Sequence, residues 1–178
     1  PLPGIEVPRE IVVADFNGDS HADLFIADHG LDDEPWPCHQ NTLILSAPGG
    51  KLVNATNSLP QQLDMTHSAD AADIDGDGDQ DLYIGNIQCG RPPPELWLND
   101  GSGTFVDSGQ HLGNSVGRGV ALGDLDGDGD LDAFVTNAGF VGDVHEPNTV
   151  WFNDGTGVFL DSGQSLGDNY SWSVSLGD

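Results

Sequence analysis

Basic residues are nearly missing from this chain. Four Lys and Arg stand against thirty Asp and Glu, for a formal charge of −26. Nucleic acid and anionic membrane surfaces are bound through clustered Lys and Arg, so both are poor partners, and neither nucleic acid nor membrane insertion is expected. Long apolar runs are missing too: no stretch approaches the ~18 to 20 consecutive apolar residues of a membrane span. No segment keeps a helical period for ten residues or more, which leaves strands and turns. Thiols are scarce. Cys38 and Cys89 suffice for one disulfide in an oxidising compartment, or remain as two free thiols. Catalytic signatures are also wanting, since no Ser/His/Asp order, nucleophile elbow or phosphate-cradling loop occurs. Many Asp residues resemble glycosidase carboxylate pairs only superficially, because their spacing is regular, so an enzyme is not expected. No signal peptide is visible and the chain opens on Pro1, as in a processed product or a fragment.

What the chain does have is glycine (25) and proline (11) around a 37% apolar fraction. Its 178 residues suit one domain with a real core, made of short strands and tight turns. Self-comparison gives the organisation. DFNGDSHAD from Asp15 recurs as DIDGDGDQD from Asp73 and DLDGDGDLD from Asp124. WLNDGSGTFVDSGQ from Trp97 recurs as WFNDGTGVFLDSGQ from Trp151, while the first copy has the divergent NTLILSAPGGKLVNAT from Asn41. SVSLGD at the end repeats GVALGD from Gly119. These matches define units at approximately 9–66, 67–117 and 118–171, with 172–178 opening a fourth.

Each unit reads as four short β-segments. A strand runs into the acidic loop, a second strand leads to a longer loop, and a hairpin closes the unit at Asn-Asp-Gly. Four strands per unit of about fifty residues is the sequence form of a β-propeller blade. The expected fold is therefore all-β: propeller-type blades of four antiparallel strands, three units plus one strand. Such a set forms an incomplete ring or one completed by oligomerisation, with self-association through exposed terminal strands. The divergent first copy is expected to have irregular outer strands. Trp97 and Trp151, equivalent on the third strand of their units, are expected to be core between blades.

The acidic loops carry the chemistry. Numbered from its first Asp, each presents side-chain oxygens at positions 1, 3, 5 and 9: Asp15, Asn17, Asp19 and Asp23; Asp73, Asp75, Asp77 and Asp81; Asp124, Asp126, Asp128 and Asp132. Alternate spacing on a curled backbone aims these groups at one centre, and Gly at position 4 permits the curl. Position 7 (His21, Asp79, Asp130) varies in type, as expected if its carbonyl oxygen is the ligand. Five or six protein oxygens suit a hard ion with six to eight ligands, which is calcium rather than magnesium or zinc. About three Ca2+ ions are expected, the Asp15 site weakest because it holds three carboxylates. An EF-hand is excluded, because position 12 is Ile26, Ile84 and Val135 where that loop needs Glu.

Outside the loops, Arg9, His67, Arg118 and Trp172 stand six residues before each first Asp or its equivalent, at the start of the innermost strands. If the units surround an axis, these side chains ring one mouth of it, opposite the metals. They are candidates for an anionic or sugar ligand, with a structural role as the alternative. The loops 28–40, 86–95 and 138–148 are where a scaffold carries specificity. They include Trp36, Cys38, His39, Cys89 and Arg91; a disulfide between neighbouring units or a Cys/His zinc site is conceivable there.

Together the repeated acidic loop and the W-x-N-D-G-x-G-x-F hairpin resemble the FG-GAP/VCBS repeat family, over essentially the whole chain. That family includes the blades of integrin α-subunit propellers and of many secreted bacterial proteins. The resemblance implies calcium in the loop between first and second strands. It also implies an extracellular or cell-surface role in adhesion or ligand recognition, with an unidentified protein or glycan as ligand. Two alternatives are a structural subunit polymerising into an extracellular fibre or coat, and a non-catalytic accessory region of a secreted carbohydrate-active enzyme.

Overall fold

The structure, a computed structural model, describes residues 4–30, 37–87, 94–113, 117–138, 146–167 and 170–177. Twelve strands form three four-stranded antiparallel sheets, each a meander in chain order. The first holds β1 (Pro8–Ala14), β2 (Asp23–Asp28), β3 (Thr42–Ala47) and β4 (Lys51–Asn54). The second holds β5 (Thr66–Ala72), β6 (Asp81–Asn86), β7 (Glu95–Asn99) and β8 (Phe105–His111). The third holds β9 (Gly117–Gly123), β10 (Asp132–Asn137), β11 (Asn148–Asn153) and β12 (Phe159–Leu166). The only helix among the described residues is one 3-10 turn at Thr56–Ser58, so none is long and apolar enough to cross a membrane. The all-β, blade-like architecture read from the sequence is what the chain adopts.

Side chains alternate across each sheet, and both faces of the middle sheet are buried. On β6, Leu82 and Ile84 turn toward the first sheet, where they join Phe25, Leu43 and Trp97. Tyr83, between them, turns the other way and packs with Leu96, Ala133 and Val135. Two separate cores thus lie between three sheets. The outward faces are less covered: on β1, Ile11 and Val13 are 56% and 61% exposed.

Trp97 is core, as expected. It is fully buried with its ring edge-on to Phe25 at 6.2 Å. Its indole Nε1 donates to Glu95 Oε2 at 3.0 Å, and the same carboxylate accepts from Gln62 Nε2, so neither buried polar group is left alone. Trp151 is half-buried in the second core and donates to Thr149 Oγ1.

The first unit corrects one expectation. Its outer strands are not irregular: β3 and β4 pair in continuous register from Ile44↔Asn54 to Ala47↔Lys51. The tight turn differs, where Gly49 and Gly50 supply the positive φ that Asn-Asp-Gly supplies elsewhere, and β4 is shorter than β8 and β12. Residues 170–177 form no ladder. They run along β9, so that a Cβ on Gly119 would come within 3.1 Å of Ser173 Cα and one on Gly123 within 2.8 Å of Leu176 Cδ1. Cys38 is disulfide-bonded and so is no zinc ligand. Trp36, Cys89 and Arg91 lie outside the described residues.

Trp97→Ala is expected to cost about 3 to 5 kcal/mol, the loss typical of a fully buried indole. Trp151→Ala is expected to cost clearly less. Urea unfolding of the two variants checks the order.

Candidate functional site

Each acidic loop joins the first strand of a sheet to the second, and its curl is set by two left-handed residues. At position 4, Gly18, Gly76 and Gly127 have φ of 69°, 78° and 88°. At position 6, Gly78 and Gly129 have φ of 97° and 100°, but the first loop places Ser20 there at 65°. Backbone amides then fold onto the carboxylates. Asp19 N donates to Asn17 Oδ1, Asp77 N to Asp75 Oδ1 and Asp128 N to Asp126 Oδ1, at 3.1 to 3.2 Å.

The position-9 Asp is the anchor. Asp23, Asp81 and Asp132 are at most 1% exposed. One oxygen of each accepts the position-2 N–H (Phe16, Ile74 and Leu125 at 2.8 to 2.9 Å). The other accepts an N–H of the third strand: Ser46 at 2.7 Å, Asn99 at 2.9 Å and Asn153 at 2.9 Å.

In the second loop, carboxylate oxygens of Asp73, Asp75 and Asp81 lie within 4.8 Å of one another; in the third, those of Asp124, Asp126 and Asp128 do. The second cluster is the more enclosed. Burial pushes the Asp81 carboxyl up to about 6, against its two backbone hydrogen bonds and with help from the charges of Asp75 and Asp77. Asp73 Oδ1 is buried and accepts no hydrogen bond, although Asp73 Oδ2 accepts from Gly78 N at 3.1 Å. A lone buried carboxylate oxygen beside two further carboxylates is a donor set that fits a hard divalent cation.

The first loop converges less. Asn17 replaces an acid, and no comparable trio of acidic, His or Cys side chains forms among its described residues. The exposed His21 ring folds back, its Nδ1 2.9 Å from Asp19 O and 3.2 Å from Asp19 Oδ1. Those contacts raise the imidazole pKa, the Asp19 carbonyl contributing most. At position 7 of the other loops, Asp79 and Asp130 stand outside the carboxylate trios. Their side chains lie against Gly101 and Gly155, where a Cβ would meet them at 2.4 and 2.5 Å.

Two residues that sequence reasoning missed connect these loops. Asn99 Nδ2 donates to Phe16 O at 2.8 Å, in the loop of the preceding sheet, and to Gln80 O at 3.1 Å in its own. Asn153 Nδ2 does the same, to Ile74 O at 2.8 Å and Leu131 O at 3.2 Å. The signal was present, since this Asn opens Asn-Asp-Gly in both copies and is Ser46 in the first. Turn chemistry alone accounts for Asp-Gly and hid the longer-range role. The third loop has no following sheet over it among the described residues: Leu125 is 37% exposed where Phe16 and Ile74 are buried.

The four residues at the starts of the inner strands come together. Arg9, His67, Arg118 and Trp172 line one cavity of about 220 Å³. The Arg118 guanidinium lies 4.2 Å over the Trp172 ring, and His67 meets His29 edge-on at 4.5 Å. A second cavity of about 340 Å³ follows the same strands past Glu10 and Asp70. Burial raises the pKa of both acids.

Asn99→Ala is expected to destabilise by about 1 to 3 kcal/mol, because it strips a partner from the buried carbonyl of Phe16. Asn99→Asp is expected to fall in the same direction, having no amide donor. Ser20→Gly is expected to stabilise by about 1 kcal/mol through release of left-handed strain. Chemical denaturation in calcium-containing buffer reads all three.

No curated protein matches the sequence. A family profile does: the FG-GAP-like repeat matches residues 15–84 and 87–135, about two-thirds of the chain. Its spans take in all three acidic loops and the Asn99 hairpin that bridges two of them. With the repeated sheets and curled Asp loops already described, the chain belongs to the FG-GAP-like repeat family.

Proposed function

We propose that this chain is a non-catalytic recognition module of the extracellular or cell-surface type, whose sheets are held by calcium in the three acidic loops. The observation that carries it is the second loop, where the carboxylates of Asp73, Asp75 and Asp81 converge and Asp73 keeps one buried oxygen without a hydrogen bond. The position 1, 3, 5 and 9 side chains and the position-7 carbonyl would hold each ion. Its charge would offset the mutual repulsion of carboxylates in a chain of −26. FG-GAP repeats are typically non-catalytic modules of extracellular proteins, and the bonded Cys38 supports an oxidising compartment. Recognition would fall to the loops and cavities, because the strands are committed to core. The ligand class is an anionic or sugar-bearing molecule.

The assembling-subunit reading has one observation in its favour. The outer faces, with Ile11 and Val13 at one end and Leu125 at the other, are those another unit of the same kind would cover. Sedimentation over a range of concentrations distinguishes it.

Calcium titration followed by calorimetry is expected to give about three sites, the Asp15 loop weakest and the Asp73 loop strongest. Excess chelator is expected to lower the melting temperature sharply. Saturation at a hundred times Kd contributes about 2.7 kcal/mol for each site. Asp75→Asn is expected to remove the strongest transition. A melting temperature indifferent to chelator would overturn the calcium reading.

A further inference from the structure

We propose that the cavity formed by Arg9, His67, Arg118 and Trp172 binds a small carboxylated sugar, with Arg118 taking the carboxylate and Trp172 the sugar ring. This deepens the reading of the chain as a recognition module and adds a ligand class to it.

Two of only four basic residues in the chain are placed side by side here, despite thirty acids elsewhere. That arrangement has an electrostatic cost. Burial first, and then the charge of Arg9, lower the pKa of Arg118. Arg118 Nε is buried and makes no hydrogen bond, and among the described residues no carboxylate pairs with its guanidinium. Glu10, the acid on this wall, instead accepts Ala69 N–H through Oε2 at 2.9 Å. A half-buried guanidinium whose Nε has no acceptor is a site for an incoming carboxylate, which matches its planar fork in spacing.

Size and lining narrow the class. About 220 Å³ is below the roughly 300 to 1,000 Å³ of drug-sized sites, so the cavity admits a monosaccharide-sized group rather than a folded partner. Trp172 is stacked on Arg118 yet 65% exposed, which leaves apolar ring surface beside the cation. Sugar C–H faces pack on such surfaces while hydroxyl groups seek polar atoms. The net charge of −26 disfavours ligands carrying several negative charges, so a single carboxylate is favoured over phosphate.

The test is a low-salt titration of the calcium-saturated chain with sodium glucuronate, glucose and sodium acetate, followed by calorimetry. Glucuronate is expected to bind at least tenfold more tightly than either control. Arg118→Ala is expected to lose at least tenfold, Arg118→Lys nearly as much for want of the planar fork, and Trp172→Ala severalfold. Circular dichroism verifies the fold of each variant; if Arg118→Ala does not fold, the exposed Trp172 decides the matter. Absent glucuronate binding, equal affinity for glucose or acetate, or affinity unchanged in the folded variants would overturn the inference. A calcium-dependent melting temperature in the same samples would show that the module reading survives that failure.

Discussion

A carboxylate with no access to water must find donors on every side, and the position-9 Asp is where this chain meets that demand. Asp81 accepts one amide from its loop and one from β7, so loop and sheet can form only together. The residue supplying the second amide, Asn99, then extends its own side chain to the carbonyl of Phe16 in the sheet before. Core packing between the sheets is apolar and non-directional, and it tolerates small slips. The Asp–Asn pair does not, because each hydrogen bond fixes a distance. It sets the stagger of one sheet on the next and, with it, the position of each acidic loop.

The loops therefore occupy a rigid frame while being electrostatically frustrated. Backbone amides and glycine conformations fold several carboxylates together that repel one another across a few ångströms. The frustration is graded along the chain. It is strongest in the enclosed second loop and milder in the third, whose carboxylates face solvent. The first has Asn17 for an acid and a histidine folded over Asp19. Local charge density and local burial thus vary independently, although the three sequences look alike.

Much of this was legible beforehand. Period-two alternation with Asp/Gly punctuation identified the strands, and the recurrence of three acidic loops in register identified the turns that join the first strand of each sheet to the second. Repeat arithmetic put Arg9, His67, Arg118 and Trp172 at equivalent strand starts, to be gathered at one mouth if the units surround an axis, and in the structure they line one cavity. What stayed hidden has a common physical origin. Asn99 and Asn153 act between units, and a pattern read within one unit sees only their turn propensity. Ser46 illustrates the point from the other side: SAPGG looked too divergent for a regular hairpin. Strand pairing, however, needs only backbone groups and a turn of the right hand, both of which the Gly49-Gly50 pair allows.

The amide of Asn99 resting on the carbonyl of Phe16 also bears on how such an array is inherited. The joint belongs to neither repeat: one half is encoded in the loop of a unit, the other in the hairpin of its successor. Duplicating a unit copies two mismatched halves that complete one another, so growth by tandem duplication builds a working seam at once. Shuffling a lone unit into a foreign array would succeed only where its neighbours speak the same dialect at both ends.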